Sequence, residues 1–277
     1  MKTISIIGLG WIGLPLGKKL IEKDYTVLGS TTSEEKAEQL QKEGIPAVYF
    51  SLNPYPSGKA FQKLFQSEIL ILNIPPKSRT DGGENYLEQL KFLKGLISNS
   101  KIQKVLYVSS TGVYPNQNRE DEYLEDEPIF SESAGNVALW KAEQYLKEKL
   151  SQDLTILRFG GLLGDDRIPG KYFAGKEHVI GHTRVNFIHR IDAVRMMVHV
   201  LENELWNETF NGVAPLHPTR REIYEKNAAE LGISLPASFT NPENEGQRII
   251  SSKKILQTGF EFSYPNPLSF SYYTNES

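Results

Sequence analysis

Three glycines near the start of the chain have the spacing of a loop that binds a dinucleotide. Gly8, Gly10 and Gly13 follow an apolar segment that predicts a strand at Thr3–Ile7, and a helix is predicted over residues 11–23. In this strand–helix context, Gly8 allows a tight turn, Gly10 lets the backbone approach a pyrophosphate, and Gly13 lets the helix pack on the strand. The phosphates would lie at the helix N-terminus, where free amides and the helix dipole favour negative charge. The predicted cofactor contacts in this loop are Gly8, Gly10, Trp11, Ile12 and Gly13. A strand–helix turn without a ligand is the alternative.

The second predicted strand, over residues 25–29, is followed by four hydroxyl side chains instead of a carboxylate. NAD-binding proteins often place Asp or Glu there, about 20 residues past the glycines, to hold the ribose hydroxyls. Here the hydroxyls of residues 30–33 and the amides of the next helix could receive a 2′-phosphate, and no carboxylate repels it before Glu34. The segment has no arginine, and Lys36 is a substitute cation. The predicted contacts are Ser30, Thr31 and Thr32. The pattern favours NADP, with NAD as the alternative; a polar capping turn would leave the choice open.

Asn73 and Pro75 belong to an Asn-Ile-Pro-Pro segment at the end of another predicted strand, over residues 69–74. Open α/β sheets bind cofactors at the carboxyl ends of their strands. We therefore expect the backbone of this segment to line the adenosine or the nicotinamide ribose, with a plain turn as the alternative.

The elements that would position these residues alternate between short apolar runs and amphipathic stretches, the pattern of a parallel sheet wrapped by helices. Further strands are predicted over 47–50, 105–109 and 155–159, and helices over 85–97 and 136–150. Ser33 is a predicted helix N-cap and Gly44 a predicted left-handed C-cap. Residues 164–184 are rich in glycine and charge, too irregular for a sheet strand; a strand–helix unit returns over 185–202. An apolar run follows over 209–213, and a helix near 221–231.

This order predicts an α/β fold, a Rossmann-type doubly wound parallel sheet with a small C-terminal substrate lobe. The expected dinucleotide-binding domain spans residues 1–164 plus 185–213. The expected substrate-covering lobe spans 165–184 plus 214–277.

Four further segments appear in the order typical of one family. They are VSSTGVY at 108–114, LRFGGLLG at 157–164, NFIHRIDA at 186–193 and TFNGV at 209–213. Together with the glycine loop they resemble the extended short-chain dehydrogenases and epimerases over residues 1 to about 213. The GxGxxG spacing departs from the GxxGxxG loop that extended members carry more often, so the chain resembles an atypical branch.

The resemblance implies that Ser110 orients the substrate oxygen, with Thr111 and Tyr114 as neighbouring candidates. A strand-end hydroxyl that bonds the backbone is the alternative for Ser110. The resemblance also implies cofactor contacts at Ser109, Lys141 and Gly160. For Lys141, a solvated helix lysine is an equal alternative.

The tyrosine of the family's tyrosine–lysine pair is missing. Alignment on Glu143 puts Gly135 at the tyrosine position and Leu139 at the lysine position. Alignment on Lys141 as the lysine puts Val137 at the tyrosine position. Tyr145 and Lys149 have the right spacing, but Tyr145 lies 10 residues beyond Gly135, ~15 Å along a helix. We expect Tyr145 to serve in packing or surface contact, with a catalytic role as the alternative.

Three weaker patterns favour ordinary structural roles. His189 is expected to be a buried structural histidine, and Asp192 to cap a helix that starts at Ala193. The acidic run over 120–127 predicts a solvated loop, and the five histidines show no metal-ligand spacing.

The composition of the chain limits the partners and the chemistry that we expect. The formal charge of −3 argues against a nucleic-acid surface. The absence of cysteine excludes disulfides and thiol catalysis. No apolar stretch reaches the ~18 residues of a membrane span, and we expect a cytoplasmic monomer or homodimer. The basic residues of the 164–184 segment, Lys171, Lys176 and Arg184, suggest that the small-molecule substrate is anionic.

Three functions remain open on the sequence. The first is an NADP-dependent oxidoreductase that moves hydride between the cofactor and a small carbonyl or alcohol. The second is a binding protein that senses nicotinamide redox state without turnover, which the lost tyrosine allows. The third is a nucleotide-sugar epimerase or dehydratase, weakened because epimerisation needs the proton step twice.

Overall fold

The computed structural model describes residues 2–76, 83–240 and 247–272. Twelve strands lie in these residues: β1 (Thr3–Ile7), β2 (Thr26–Thr31), β3 (Ala47–Leu52), β4 (Pro56–Gly58), β5 (Ile69–Leu72), β6 (Lys104–Ser110), β7 (Asp153–Phe159), β8 (Gly161–Leu163), β9 (Val179–Ile180), β10 (Phe187–His189), β11 (Thr209–Gly212) and β12 (Phe239–Thr240). Eight of them form one sheet in the order β11-β7-β6-β5-β1-β2-β3-β4. The pairs are parallel except for β3 with β4. The α/β Rossmann-type prediction is confirmed.

The helices of the described residues are α1 (Gly13–Glu22), α2 (Glu34–Lys42), α3 (Glu84–Ser98), α4 (Val137–Lys149), α5 (Pro169–Phe173), α6 (Arg190–Glu202), α7 (Arg220–Leu231) and α8 (Lys253–Gln257). Short 3₁₀ turns lie at Phe61–Gln66, Thr111–Val113 and Pro267–Ser269. None of the helices in the part of the chain that the structure describes is long and apolar enough to cross a membrane.

Alternate side chains of the strands point to two separate cores. On β5, Ile69 and Ile71 pack with α1, α2 and α6, whereas Leu70 and Leu72 pack with α3 and α4. Because each face of the sheet is covered by helices, the strands are apolar on both sides, as buried parallel strands are. Helices on both faces leave the carboxyl ends of the strands as the open edge.

Helix ends follow local capping. The N-cap prediction for Ser33 is confirmed, because its Oγ accepts a hydrogen bond from the Lys36 amide at 3.2 Å. Gly44 has the predicted left-handed backbone, with φ +78°. Helix α1 begins at Gly13 instead of residue 11.

Asp192 does not cap a helix, contrary to the prediction. Helix α6 begins at Arg190, and His189 is its N-cap. The Asp192 carboxylate instead accepts hydrogen bonds from the amides of Ser263 and Tyr264, both at 2.8 Å. It therefore fixes the C-terminal segment against α6.

Two loop predictions are also corrected. Residues 164–184 contain α5 and the strand β9, which pairs with β12 in a separate two-stranded sheet. In the acidic run, Glu125 is buried and accepts a hydrogen bond from the Asn211 amide at 2.9 Å. Local composition cannot show such a bond because its partner lies 86 residues away. The division of the chain into two domains stays a prediction.

Candidate functional site

The glycine loop joins β1 to α1 at the carboxyl edge of the sheet. Gly8 has φ +108°, and a Cβ there would lie 2.3 Å from the Asn73 carbonyl oxygen. A Cβ on Gly13 would lie 2.1 Å from the Gly8 carbonyl oxygen, whereas a Cβ on Gly10 would meet nothing within 4 Å. Gly8 and Gly13 therefore allow close backbone packing, and Gly10 faces open space. An unblocked backbone at this position fits a bound pyrophosphate.

Hydrogen bonds from neighbouring strands fix the loop. The Leu9 amide donates to the Ser30 carbonyl at 2.7 Å, and the Gly8 amide lies 3.3 Å from Ser30 Oγ, which accepts. Asn73 Nδ2 donates to the Gly8 carbonyl at 2.9 Å. Ser30 and Asn73 therefore fix the loop through hydrogen bonds.

Two cavities open on either side of this loop. The β2-side cavity, about 450 Å³, is lined by Ile7, Gly8, Leu9, Gly10, Ser30, Thr31, Thr32, Lys36, Phe50, Ser51, Leu52, Asn53, Asn73, Ile74, Pro75 and Gln89. The β6-side cavity, about 280 Å³, is lined by Gly10, Trp11, Ile12, Asn73, Ile74, Pro75, Pro76, Val108, Ser109, Ser110, Leu139, Leu162 and Arg167. Both linings include Gly10 and the 73–75 segment, so the cavities adjoin at the loop.

Ser109 and Ser110 differ in what their hydroxyls already bind. Ser109 Oγ donates to the Glu143 carboxylate at 2.6 Å. Ser110 Oγ accepts from the Gly112 amide at 3.1 Å. A hydroxyl that accepts still has its own hydrogen to donate, and no acceptor for it lies among the described residues. Ser110 can therefore donate to a ligand oxygen in the β6-side cavity.

A buried polar network lies beneath this cavity. Arg158 contacts Glu143 with Nη2 at 2.6 Å from the carboxylate and donates through Nη1 to the Tyr114 hydroxyl at 2.8 Å. Burial raises the pKa of Tyr114 to about 12, although Arg158 acts in the opposite direction. Tyr114 therefore stays protonated near neutral pH. Since its hydroxyl also donates to Asn211 at 2.9 Å, it serves the network and does not line the cavity.

Four predicted site residues lie outside both linings. Thr111 is buried in a 3₁₀ turn, and Lys141 is exposed on α4. Gly160 is packed so closely that a Cβ would lie 2.2 Å from the Asn186 carbonyl oxygen. Gly13 acts through loop packing, as described above. The other predicted contacts line one or both cavities and come from the loop after β1, from the end of β2 and the residue after it, from the segment after β5 and from the end of β6.

The positions aligned with the family's tyrosine and lysine hold no replacement pair. A Cβ on Gly135 would lie 2.3 Å from the Tyr114 carbonyl oxygen, so no side chain fits there. Leu139 lines the β6-side cavity at the place aligned with the lysine. Tyr145 packs against the core that includes α3, on the other side of α4, in keeping with the packing role expected for it.

The basic residues that suggested an anionic substrate are placed elsewhere. Lys176 Nζ lies over the Phe173 ring at 5.5 Å, and Arg184 donates to the His217 carbonyl at 2.8 Å. Neither these two nor Lys171 lines either cavity. Arg167, which no motif marked, does line the β6-side cavity.

Other lining residues also escaped sequence reasoning. Asn53, Gln89 and Leu162 come from the end of β3, from α3 and from β8. Asn53 and Gln89 belong to no motif, and Leu162 lies in the LRFGGLLG segment but is not among the predicted contacts. Only the folding of the sheet brings these three residues to the site. In the part of the chain that is described, no group of three or more His, Cys, Asp or Glu side chains is placed to hold a metal ion.

Comparisons with known proteins agree with this geometry. A family model for the NAD binding domain of 6-phosphogluconate dehydrogenase matches residues 3–132. The chain is 31% identical over 273 residues to protein YeeZ of Escherichia coli strain K12, covering 97% of this chain and 98% of the relative. It is 27% identical over 303 residues to the human epimerase family protein SDR39U1, covering 96% of each. The solved structure of human SDR39U1 isoform 2 with NADPH superposes with a TM-score of 0.68, at 18% identity and 96% coverage of each chain.

Fold, glycine loop and paired cavities define an NAD(P)-binding Rossmann protein. The chain belongs to the epimerase family of the extended short-chain dehydrogenases and reductases that includes YeeZ and SDR39U1. The predicted resemblance is confirmed.

Proposed function

We propose that this protein is an NADP(H)-dependent oxidoreductase that acts on a small carbonyl or alcohol. The observation that carries the proposal is the pair of cavities that adjoin at Gly10 and at the segment Asn73–Pro75, one on each side of the phosphate-binding position. The β2-side cavity would hold the adenosine half of the cofactor and the β6-side cavity the nicotinamide half. When bound, the cofactor supplies or accepts the hydride.

Three groups of the β2-side cavity support a preference for NADP(H). The hydroxyls of Thr31 and Thr32 line it, and Lys36 supplies a cation. The first carboxylate of the region, Glu34, lies 3.4 Å from Lys59 Nζ, so its charge is partly offset. A 2′-phosphate favours such donors and cations, and the related human SDR39U1 has been solved with NADPH.

Ser110 would polarise the substrate oxygen. Ser110 is the better candidate because its hydroxyl hydrogen remains available for a ligand, whereas the hydroxyl hydrogen of Ser109 is already donated to Glu143. A donor aimed at an oxygen that gains negative charge is worth about 10²–10³ in rate. With Leu139 at the lysine position, the proton would come from water.

Assays of NADPH oxidation with aldehydes, ketones and 2-oxo acids test this proposal. We expect turnover with at least one class, a loss of about 10²-fold in kcat for Ser110→Ala, and a change of no more than a few-fold for Tyr145→Phe. NADPH affinity should stay normal in both variants. A near-total loss of activity in folded Tyr145→Phe with normal NADPH affinity would contradict the packing role of Tyr145 and identify Tyr145–Lys149 as the acting pair.

A nicotinamide-sensing protein without turnover is the second candidate. The apolar Leu139 side chain in the β6-side cavity favours it, because alignment on Glu143 puts the family's lysine at that position. NADPH binding without oxidation across the whole carbonyl series would replace the oxidoreductase proposal with this one.

A further inference from the structure

Arg167 brings a positive charge to the β6-side cavity. It lies between β8 and α5, in a tight turn closed by two backbone hydrogen bonds with Gly164, at 2.9 and 3.3 Å. Its guanidinium carbon lies 4.0 Å from the centroid of the Trp11 ring, in the glycine loop. Stacking on Trp11 orients the planar guanidinium beside the open end of the loop.

The two acidic neighbours of Arg167 form their hydrogen bonds and ion pairs with other groups, although the charge of Arg167 still acts on the Asp166 carboxylate. Asp166 accepts a hydrogen bond from Trp11 Nε1 at 2.8 Å. Asp165 forms an ion pair with Arg190. Among the residues that the structure describes, the Arg167 side chain has no hydrogen bond or ion pair of its own. A half-buried guanidinium in this state has several donors available for a ligand.

The rest of the lining that the structure describes offers no competing cation. Pro76, Val108, Leu139 and Leu162 form apolar walls, and Ser110 supplies a neutral donor. Arg167 is the one charged side chain in the described lining of this cavity. An anion that enters the cavity would pair with Arg167 in surroundings of low polarity, where charged hydrogen bonds are strong.

We propose that Arg167 binds a carboxylate or phosphate group of the substrate and so selects small anionic carbonyl compounds. This inference rests on the proposed function, because it needs the nicotinamide and the substrate oxygen in the β6-side cavity. A cavity of about 280 Å³ that also receives the nicotinamide ring leaves room for a small substrate only. The anionic group therefore lies close to the reacting carbon, with Arg167 on the anion and Ser110 on the carbonyl oxygen.

Paired probes test the charge requirement without turnover. The NADP⁺-loaded protein is titrated with pyruvate and methyl pyruvate, and with dihydroxyacetone phosphate and dihydroxyacetone, using calorimetry or tryptophan fluorescence. Each pair holds the carbonyl constant and varies the anion, and the two pairs distinguish carboxylate from phosphate. We expect the anionic member of at least one pair to bind at least about tenfold more tightly. Arg167→Gln should remove this difference, whereas Lys171→Gln, an exposed residue of α5 with the same loss of charge, should keep it.

The affinity for NADPH distinguishes failure of the Arg167 proposal from failure of the proposed function. Arg167→Gln should bind NADPH within a few-fold of the unmodified protein. If it lowers NADPH affinity about tenfold or more, Arg167 serves the cofactor and the substrate proposal is overturned, while the proposed function stands. If neither anionic probe binds more tightly than its neutral partner, the anion proposal is likewise overturned. If the unmodified protein fails to bind NADPH, the proposed function itself fails.

Discussion

Substitution of Gly10 separates cofactor binding from folding. Gly10 lacks the positive φ that Gly8 has, and a Cβ at position 10 would meet no atom within 4 Å. Gly10→Ala is therefore compatible with the folded chain, and the loss of backbone freedom in the unfolded chain should stabilise it by about 0.4–1 kcal/mol. For a chain of this length, that raises Tm by about 1–2 °C.

The same methyl group would enter the space that the pyrophosphate needs. If it costs one charge-assisted hydrogen bond to phosphate, about 1.5–3 kcal/mol, the Kd for NADPH rises about 10- to 150-fold. The larger Gly10→Val should abolish binding. Calorimetric titration with NADPH, together with thermal unfolding of the apoprotein, measures both effects.

Two other glycines serve as controls. Gly95 lies inside α3, and a Cβ there would also meet nothing within 4 Å, so Gly95→Ala should stabilise the fold by about 1 kcal/mol with no change in NADPH affinity. Gly13→Ala should destabilise it by about 1–3 kcal/mol, because its Cβ would lie 2.1 Å from the Gly8 carbonyl oxygen. Normal NADPH affinity in a folded Gly10→Ala variant would refute the assignment of the loop.

Three further predictions concern cofactor choice, the buried network and pH. Thr32 is exposed and lines the β2-side cavity, so Thr32→Asp should weaken NADPH binding about tenfold relative to NADH by charge repulsion; an unchanged ratio of the two Kd values would contradict this. Glu143→Ala leaves Arg158 buried without its carboxylate and should lower the free energy of unfolding by about 3–5 kcal/mol. Glu148→Ala, on the exposed side of the same helix, should change it by less than about 0.5 kcal/mol; equal urea midpoints would contradict the role of the network. Burial lowers the pKa of His189 and the pKa of His217 from 6.5. Near pH 6 the unfolded chain therefore binds more protons than the folded chain. The free energy of unfolding should fall as the pH falls through 6.5. Urea titrations that show no loss between pH 7.5 and pH 5.5 would contradict this.

Features carried by contiguous segments could be predicted from the sequence. Gly8, Gly10 and Gly13 act within one strand–loop–helix unit, and the hydroxyls of residues 30–33 lie at and just past the end of β2, a strand whose direction the unit determines. The parallel sheet places the ends of β1, β2, β5 and β6 at one edge, so separate motifs converge there.

Contacts between distant segments could not be predicted in the same way. Arg167 reaches the site because a turn after β8 folds back onto Trp11, more than 150 residues earlier in the chain. Glu125 belongs to an acidic run in which Glu122 and Glu127 are half-buried and form ion pairs with Lys253 and Arg119. Only the arrival of β11 gives Glu125 its buried partner. The helix start at Arg190 was missed because His189, a less usual N-cap residue, takes the capping role.

Cofactor binding by the unmodified protein tests the central claim most directly. The chain should be titrated with NADPH and with NADH under identical salt and pH, with Gly10→Val as the control for loop-dependent binding. We expect one NADPH to bind per chain, more tightly than NADH, and no NADPH to bind to Gly10→Val. Tighter binding of NADH would contradict the roles of Thr31, Thr32 and Lys36, and equal binding to Gly10→Val would contradict the site itself.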